Sequence, residues 1–274
     1  MQDAIVAWRK KVSWAGDLQV EQDLILHAMI HAIYSNPVLA KKLGFRGGTC
    51  LNKLFWETPS RYSEDLDFVQ IVGEPIGPTV RELKKALNAI FTEPPTWEAK
   101  KGSFRLYYSF VPDSSPNYSQ NIKIEINTRE HFALEGYRKE KIRLDSVWKS
   151  GEAEVTTFSI EELLATKLRA LYQRKKGRDL FDLWKSRELS PDNTRVVTLC
   201  LEYFRRMGKT LYRGHFLKNV EEKLKDPVFV RDLEPLVHPA LDYDVSEAAD
   251  FVRNAMLALI PESRRAGKKR RQVA

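Results

Sequence analysis

Segments in which apolar and polar residues alternate occur only in the first half of the chain. They lie at residues 62–72, 104–111 and 120–127, and a period of two residues predicts β-strands. From Ser159 onward the apolar residues recur at helical spacing instead. The pattern therefore predicts an α/β (α+β) fold in which a mixed half precedes a helical half, with the boundary near Phe158.

Three regions are expected from this pattern. Residues 1–158 form a mixed domain with N-terminal helices, residues 159–260 a helical domain, and residues 261–274 a basic tail. Ser159 and Glu162 have the spacing of a capping box, which predicts the start of the first helix of the second domain.

The composition is that of a globular protein, with 43% hydrophobic and 30% charged residues among 274. The net charge is +8, and the tail contributes six basic residues against one acidic residue. Such a tail attracts nucleic-acid phosphates, although a solvated terminus has the same composition. Neither a long apolar run nor a secretory signal is present, and the two cysteines lack metal-ligand spacing. We expect a cytoplasmic protein without a membrane span.

Two acidic residues occupy one predicted strand. Asp65 and Asp67 are two positions apart, so their side chains lie on the same face, while Leu66 and Phe68 face the core. Adjacent carboxylates repel each other unless a cation lies between them. Hard oxygen ligands suit Mg²⁺ or Mn²⁺, so the pair predicts a metal site. An exposed strand with two solvated acids is the alternative.

A third carboxylate lies on a later predicted strand. Glu125 shares one face with Lys123 and Asn127. It could complete the metal site or act as a general base on an attacking hydroxyl. The alternative is the ordinary polar face of a strand.

A glycine pair precedes the two aspartates. Gly47, Gly48 and Thr49 fall between a predicted strand and a predicted short helix, where backbone N–H groups and a helix N-terminus favour a phosphate. The sequence around them fits neither the Walker A nor the dinucleotide-binding pattern.

Charged residues are also grouped in the helical half. Lys167 and Arg174 are seven positions apart and project from one side of a helix. Arg178 and Asp179 open the next helix, and Asp182 follows one turn later. Lys167 could hold phosphates while either aspartate orients Lys167, Arg178 or the metal site. Surface charge pairing is the alternative.

The combined pattern resembles the AbiEii family of nucleotidyltransferase toxins. The resemblance rests on Gly-Gly-Thr-x-Leu-x-Lys, Arg-Tyr-Ser-Glu-Asp-Leu-Asp and Lys-Leu-x-Ala-Leu-x-x-Arg-x-x-x-Arg-Asp-x-x-Asp, within residues 45–184. It implies a polymerase β-like nucleotidyltransferase domain with a mixed sheet, followed by a helical C-terminal domain. It further implies a toxin of a toxin–antitoxin or phage-defence pair, opposed by a cognate antitoxin encoded nearby.

The resemblance also implies roles for individual residues. Asp65, Asp67, Lys167, Asp179 and Asp182 would be catalytic, and Asp65 and Asp67, with Glu125, would hold the metal. The expected nucleotide-binding residues are Gly47, Gly48, Thr49, Lys53, Ser63, Lys167 and Arg178. Ser63 also matches a serine that an antitoxin phosphorylates in related systems, and Cys50 departs from the alanine more usual in the family.

The activity expected from this resemblance is transfer of a nucleotide from an NTP to an RNA 3′ end, of tRNA above all, which blocks translation. Modification of a protein or small molecule would use the same fold. A two-metal nuclease is disfavoured because Asn127 stands where such sites usually have lysine. A non-catalytic RNA-binding module would explain the tail but not the paired aspartates.

Overall fold

The computed structural model describes residues 1–12, 14–237 and 241–262. Most of the predicted basic tail, residues 263–274, lies outside the described residues.

Seven strands form one mixed sheet in the order β3-β4-β5-β2-β1-β7-β6. Their bounds are β1 Leu43–Arg46, β2 Asp65–Gln70, β3 Thr96–Lys100, β4 Ser103–Phe110, β5 Gln120–Asn127, β6 Arg138–Asp145 and β7 Ser150–Thr157. Thus β2, β4 and β5 confirm the three predicted strands, and the mixed α/β fold class is confirmed with them.

The α-helices lie before, between and after these strands. Their bounds are α1 Gln2–Arg9, α2 Asp17–Ser35, α3 Leu39–Lys42, α4 Gly47–Leu54, α5 Ile76–Leu87, α6 Ile160–Gln173, α7 Gly177–Lys185, α8 Asn193–Arg206, α9 Arg213–Leu224, α10 Pro227–Val230 and α11 Val245–Ala255. The change from sheet to helices occurs at Phe158, where the sequence pattern changes. No helix in the described ranges is both long and apolar enough to cross a membrane.

The start of α6 follows its predicted cap in part. The Ser159 hydroxyl accepts a hydrogen bond from the Glu162 backbone N–H. The Glu162 carboxylate, however, accepts hydrogen bonds from the N–H groups of Leu134 and Glu135. This acidic side chain therefore attaches the second half to the loop after β5, whereas a capping box would use it within its own helix.

The hydrophobic core is continuous across the two predicted domains. One cluster contains side chains from the sheet, such as Phe45 and Ile124, and side chains from the later helices, such as Leu168 and Phe181. Because these residues are fully buried together, the helical half is packed firmly against the sheet.

Strand pairing determines which polar side chains become neighbours. Strand β2 runs antiparallel to β1, with Arg46 opposite Asp67, and parallel to β5. In the β2–β5 register Asp65 lies opposite Lys123, and Asp67 lies opposite Glu125. The sheet therefore places all three predicted carboxylates in two adjacent strands.

Candidate active site

Asp67 is held close to the start of α4. Gly47 follows β1 directly and has a φ of +86°, a conformation that glycine adopts without strain. A Cβ atom at this position would collide with Oδ2 of Asp67. Gly47 therefore permits both the abrupt strand-to-helix turn and the close approach of the carboxylate.

The Asp67 carboxylate has no hydrogen-bond or ion-pair partner within residues 1–12, 14–237 and 241–262. Burial, together with the neighbouring charge of Asp65, raises the pKa of Asp67 above its usual value. The charges of Lys167, Arg46 and Lys123 only partly offset this rise, and none of these cations forms an ion pair with Asp67. A bound cation would stabilise the ionised carboxylate.

The other two carboxylates already have cationic partners. Lys123 Nζ lies 2.8 Å from Oδ2 of Asp65 and 3.6 Å from Oε2 of Glu125. Arg105 Nη2 donates to Oε1 of Glu125 at 3.0 Å. These cations outweigh the effect of burial and lower the pKa of Glu125.

This arrangement departs from the predicted three-carboxylate metal site. No group of three or more His, Cys, Asp and Glu side chains that could hold a metal ion occurs in the described part of the chain. The Glu125 carboxylate is held by Arg105, which lies on β4 on the side of β5 away from β2. Asp65 and Asp67 remain the candidate ligand pair.

A network of opposite charges, called the buried network below, lies beside the acids; Arg61, Lys167, Asp179 and Asp182 are buried in it, whereas the Arg174 side chain is 54% exposed. Lys167 Nζ is 2.6 Å from Oδ2 of Asp182 and 3.3 Å from Oδ1 of Asp179. Arg61 binds both oxygens of Asp182, at 2.6 and 2.9 Å, and Arg174 binds both oxygens of Asp179, at 2.6 and 2.8 Å. The two aspartates therefore fix three cations at the site.

The cations in this network keep both aspartates ionised. Burial alone would raise the pKa of Asp182, but the charges of Arg61 and Lys167 overcome it and lower the pKa to about 2. The pKa of Asp179 is lowered in the same way by Lys167 and Arg174. Both aspartates are therefore ionised at neutral pH, and their negative charges hold the cations in place.

Gly48 makes room for part of this network. A Cβ atom at Gly48 would overlap the Arg61 guanidinium and would lie 3.2 Å from Oδ2 of Asp182. The glycine pair thus has two separate functions, since Gly47 admits Asp67 and Gly48 admits Arg61.

Two hydroxyl groups extend the site from α4 toward the segment before β2. Thr49 Oγ1 donates to the backbone carbonyl of Asp65 at 2.5 Å, and it lies 2.5 Å from Ser63 Oγ. Because the Thr49 hydroxyl proton is used on Asp65, Ser63 is the donor in the second bond. Ser63 precedes β2 but lines the same cavity as the acids.

Two predicted nucleotide-binding residues have other partners. The side chain of Lys53, in the last turn of α4, is buried with its Nζ 2.7 Å from Asp23, and Lys53 does not line either cavity described below. The helix turns its side chain toward α2 and away from the glycine pair. Arg178 lines the site, and its Nε lies 3.3 Å from Asp232.

Two cavities meet at the acids. The first has a volume of about 200 Å³ and is lined by Gly48, Thr49, Arg61, Ser63, Glu64, Asp65, Asp67, Lys123, Glu125, Lys167, Arg174, Lys176 and Arg178. The second has a volume of about 350 Å³ and is lined by Arg46, Gly47, Asp67, Phe68, Glu125, Asn127, Thr166, Lys167, Arg169, Ala170, Gln173 and Arg174.

The two cavities follow one another along the parallel strands β2 and β5. The first contacts Asp65 and Lys123, near the start of the paired segments, and the second contacts Phe68 and Asn127, further along. Four residues border both cavities: Asp67, Glu125, Lys167 and Arg174. Any ligand that spans both cavities must pass these four side chains.

Three cations of the site were not predicted from the sequence to be functional residues. Arg61 lies in the Arg-Tyr-Ser-Glu-Asp motif, but its partner Asp182 is 121 residues away. Arg105 lies on β4 and Lys123 on the neighbouring strand β5. Their positions relative to the acids depend on strand order and register, which the sequence does not give. Only the face shared by Lys123 and Glu125 was visible in the sequence.

A sequence model for the nucleotidyl transferase AbiEii toxin of type IV toxin–antitoxin systems matches residues 30–252. The chain belongs to the AbiEii family. It is therefore a nucleotidyltransferase toxin of a type IV system, and membership implies a cognate antitoxin. The match extends well beyond residues 45–184, on which the motifs had indicated the family. A comparison with curated proteins found no match.

Solved structures share the fold of this AbiEii protein. JHP933 from Helicobacter pylori has a TM-score of 0.58 at 18% identity, with 90% of this chain and 93% of that chain covered. MenT4, a nucleotidyltransferase toxin from Mycobacterium tuberculosis, has a TM-score of 0.60 at 17% identity, with 93% of this chain and 89% of that chain covered. Because both matches cover at least 90% of this chain, the likeness extends over both halves of the fold.

Proposed function

We propose that this AbiEii toxin transfers a nucleoside monophosphate from an NTP to the 3′ end of an RNA, with tRNA as the acceptor, and thereby blocks translation. The observation that carries the proposal is the pair of cavities that meet at Asp67 and Glu125. Nucleotidyl transfer needs one site for the departing pyrophosphate and another for the attacking hydroxyl, placed in line through the α-phosphate.

The first cavity suits the triphosphate. It contacts Gly48 and Thr49 at the N-terminus of α4, where backbone N–H groups and the helix dipole favour an anion. Six cationic residues also line this cavity: Arg61, Lys123, Lys167, Arg174, Lys176 and Arg178. Pyrophosphate would leave from this side, stabilised by the same charges.

Asp65 and Asp67 fit a divalent metal ion. They are adjacent on one strand face, and no cation among the described residues forms a direct ion pair with Asp67. We expect them to hold Mg²⁺ or Mn²⁺, which would supply charge stabilisation at the α-phosphate. The protein's own contribution is the fixed position of both carboxylates and of Lys167 beside them.

The second cavity suits the terminal nucleoside of the acceptor. Its wall includes the polar residues Asn127 and Gln173 and the small apolar residue Ala170. A 3′-hydroxyl that enters here approaches from the side opposite to the triphosphate. We expect Glu125, which borders both cavities and is ionised, to accept its proton as the new phosphodiester bond forms and pyrophosphate departs, after Lys123 has moved away from the carboxylate.

Incubation of the purified protein with each labelled NTP and total tRNA tests the proposal. Wild-type protein should label tRNA in the presence of Mg²⁺, and EDTA should stop the reaction. Asp67→Asn should lower the rate by at least about a hundredfold, since removal of a single stabilising group commonly has this effect. Its melting temperature should not fall, because the Asp67 carboxylate makes no hydrogen bond to lose.

Two outcomes would contradict parts of the proposal. If the label appeared on protein and not on RNA, nucleotidyl transfer would stand but the acceptor would be wrong. If Asp67→Asn retained near-wild-type transfer, the metal assignment would be wrong.

A further inference from the structure

Lys123 occupies the position between two acidic side chains of the site. Its Nζ is 2.8 Å from Asp65 and 3.6 Å from Glu125. The register explains this placement, since the parallel pairing of β2 and β5 puts Lys123 directly beside Asp65. The side chain is about one quarter exposed, so it is able to leave the pair without disruption of the core.

The contacts of Lys123 differ from those of the other cations at the site. Lys167 and Arg174 are bound by Asp179, and Lys167 also by Asp182. Lys123 is paired with the proposed metal ligand Asp65 itself.

We infer that Lys123 is a tethered counter-ion of the acid pair, which a divalent cation must displace from Asp65. The inference rests on the metal site of the proposed function. When the metal is absent, Lys123 reduces the repulsion between Asp65 and Asp67. When the metal binds, Asp65 can serve as a ligand only after its ion pair with Lys123 opens. Lys123 is thus a positioning residue that sets the concentration of divalent cation that the enzyme needs.

The direct test is Mn²⁺ binding to the full-length protein, measured by electron paramagnetic resonance at fixed ionic strength. Lys123→Met, which keeps most of the side-chain length, should bind Mn²⁺ about two- to fivefold more tightly, the change expected for loss of one partly exposed ion pair. Lys123→Arg keeps the charge and should stay near wild type. In EDTA, Lys123→Met should have a lower melting temperature than wild type. Addition of Mn²⁺ should raise the melting temperature of Lys123→Met by more than it raises that of wild type.

A matched control separates ion pairing from general electrostatics. Lys176 lines the same cavity, but its Nζ is 3.4 Å from Asp232. Lys176→Met therefore removes one positive charge near the metal and leaves the Asp65 pair intact. An equal gain in Mn²⁺ affinity in both variants would overturn the inference.

A double-mutant cycle completes the test. In the Asp65→Asn background, Lys123→Met should no longer tighten Mn²⁺ binding. Equal Mn²⁺ affinity of wild type and Lys123→Met would overturn the inference about Lys123 alone. No Mn²⁺ binding by any variant would overturn the proposed metal site as well.

Discussion

The Lys167 ammonium lies 2.6 Å from Oδ2 of Asp182, and both side chains are buried where α6 meets α7. Asp182 also binds the buried Arg61 guanidinium through both oxygens. This one carboxylate therefore neutralises a cation from each half of the chain. The same network therefore supports the candidate site and connects the segment before β2 to the helical half.

Asp182→Asn should destabilise the fold strongly. The substitution leaves Arg61 and Lys167 buried with insufficient negative charge, which typically costs about 3–5 kcal/mol. Urea denaturation measures the change in the free energy of unfolding. Glu222→Gln, which opens an exposed pair with Lys218 on α9, is the control and should have little effect. A comparably small loss for Asp182→Asn would show that the buried network does not hold the two halves together.

Gly48→Ala should lower both stability and nucleotide transfer. The new methyl group would overlap the Arg61 guanidinium, so Arg61 would have to leave Asp182. Melting temperature and transfer rate should therefore fall together. Gly214→Ala is the matched control, because its Cβ would meet nothing within 4 Å and alanine favours the helix α9. A Gly48→Ala protein that behaved like this control would contradict the steric argument.

Local sequence patterns predicted much of the fold. The alternation in β5 gave its bounds correctly, since its isoleucines all face the core. By contrast, β6 was missed because only Ile142 and Leu144 of its eight residues are buried, and its charged positions resemble a solvated loop. The fold of this edge strand depends on its pairing with β7, which is a tertiary effect.

The site was predictable where one element carried several of its residues. The spacing of Lys167 and Arg174 predicted one shared side of a helix, but α6 ends at Gln173 and Arg174 follows it in an extended conformation. Both side chains nevertheless meet Asp179. Strand order was not predictable, so the binding of Arg105 to Glu125 could not be foreseen. The pairing of Lys53 with Asp23 was not predictable either, because a motif position gives no information about which way a helix faces the rest of the protein.

His27 should make the fold less stable in mild acid. On α2 its Nε2 lies 3.1 Å from the carbonyl oxygen of Arg143, and its ring packs edge-on against Trp8. Burial, aided by the charge of Lys53, lowers the pKa of His27 from 6.5 to about 3. The unfolded chain binds a proton at this residue below pH 6.5 and the folded chain does not. Stability should therefore fall as the pH decreases from 6.5 toward 3.

The contribution of His27 can be measured by urea denaturation at several pH values. One such group gives a slope of up to about 1.4 kcal/mol per pH unit. His27→Gln keeps a donor for the Arg143 carbonyl and removes the titrating group. Between pH 6 and 4 its free energy of unfolding should therefore depend less steeply on pH, by on the order of 1 kcal/mol per pH unit. His215→Gln, on the exposed surface of α9, should keep the wild-type slope. An unchanged slope in His27→Gln would contradict the assignment.

Ser63 is placed to control access to the first cavity. Its hydroxyl donates to Thr49, and the cavity around it also contains Lys123, Lys167 and Arg178. A phosphate on Ser63 would add about −1.5 to −2 charges and could pair with these cations. It would then occupy the proposed position of the triphosphate, so phosphorylation would block NTP binding and leave the buried network intact.

Ser63→Glu should therefore abolish nucleotide transfer while its melting temperature stays close to that of wild type. Ser63→Ala should retain part of the activity, because it loses one neutral hydrogen bond, worth about 0.5–1.5 kcal/mol, and adds no charge. Growth inhibition, tRNA labelling and NTP affinity of both variants provide the measurement. Loss of activity in Ser63→Glu should appear first as loss of NTP affinity, since the new carboxylate repels the triphosphate in the cavity that both would share. A Ser63→Glu protein with full activity and normal NTP affinity would show that the triphosphate binds elsewhere, and the assignment of the two cavities would then have to be reversed.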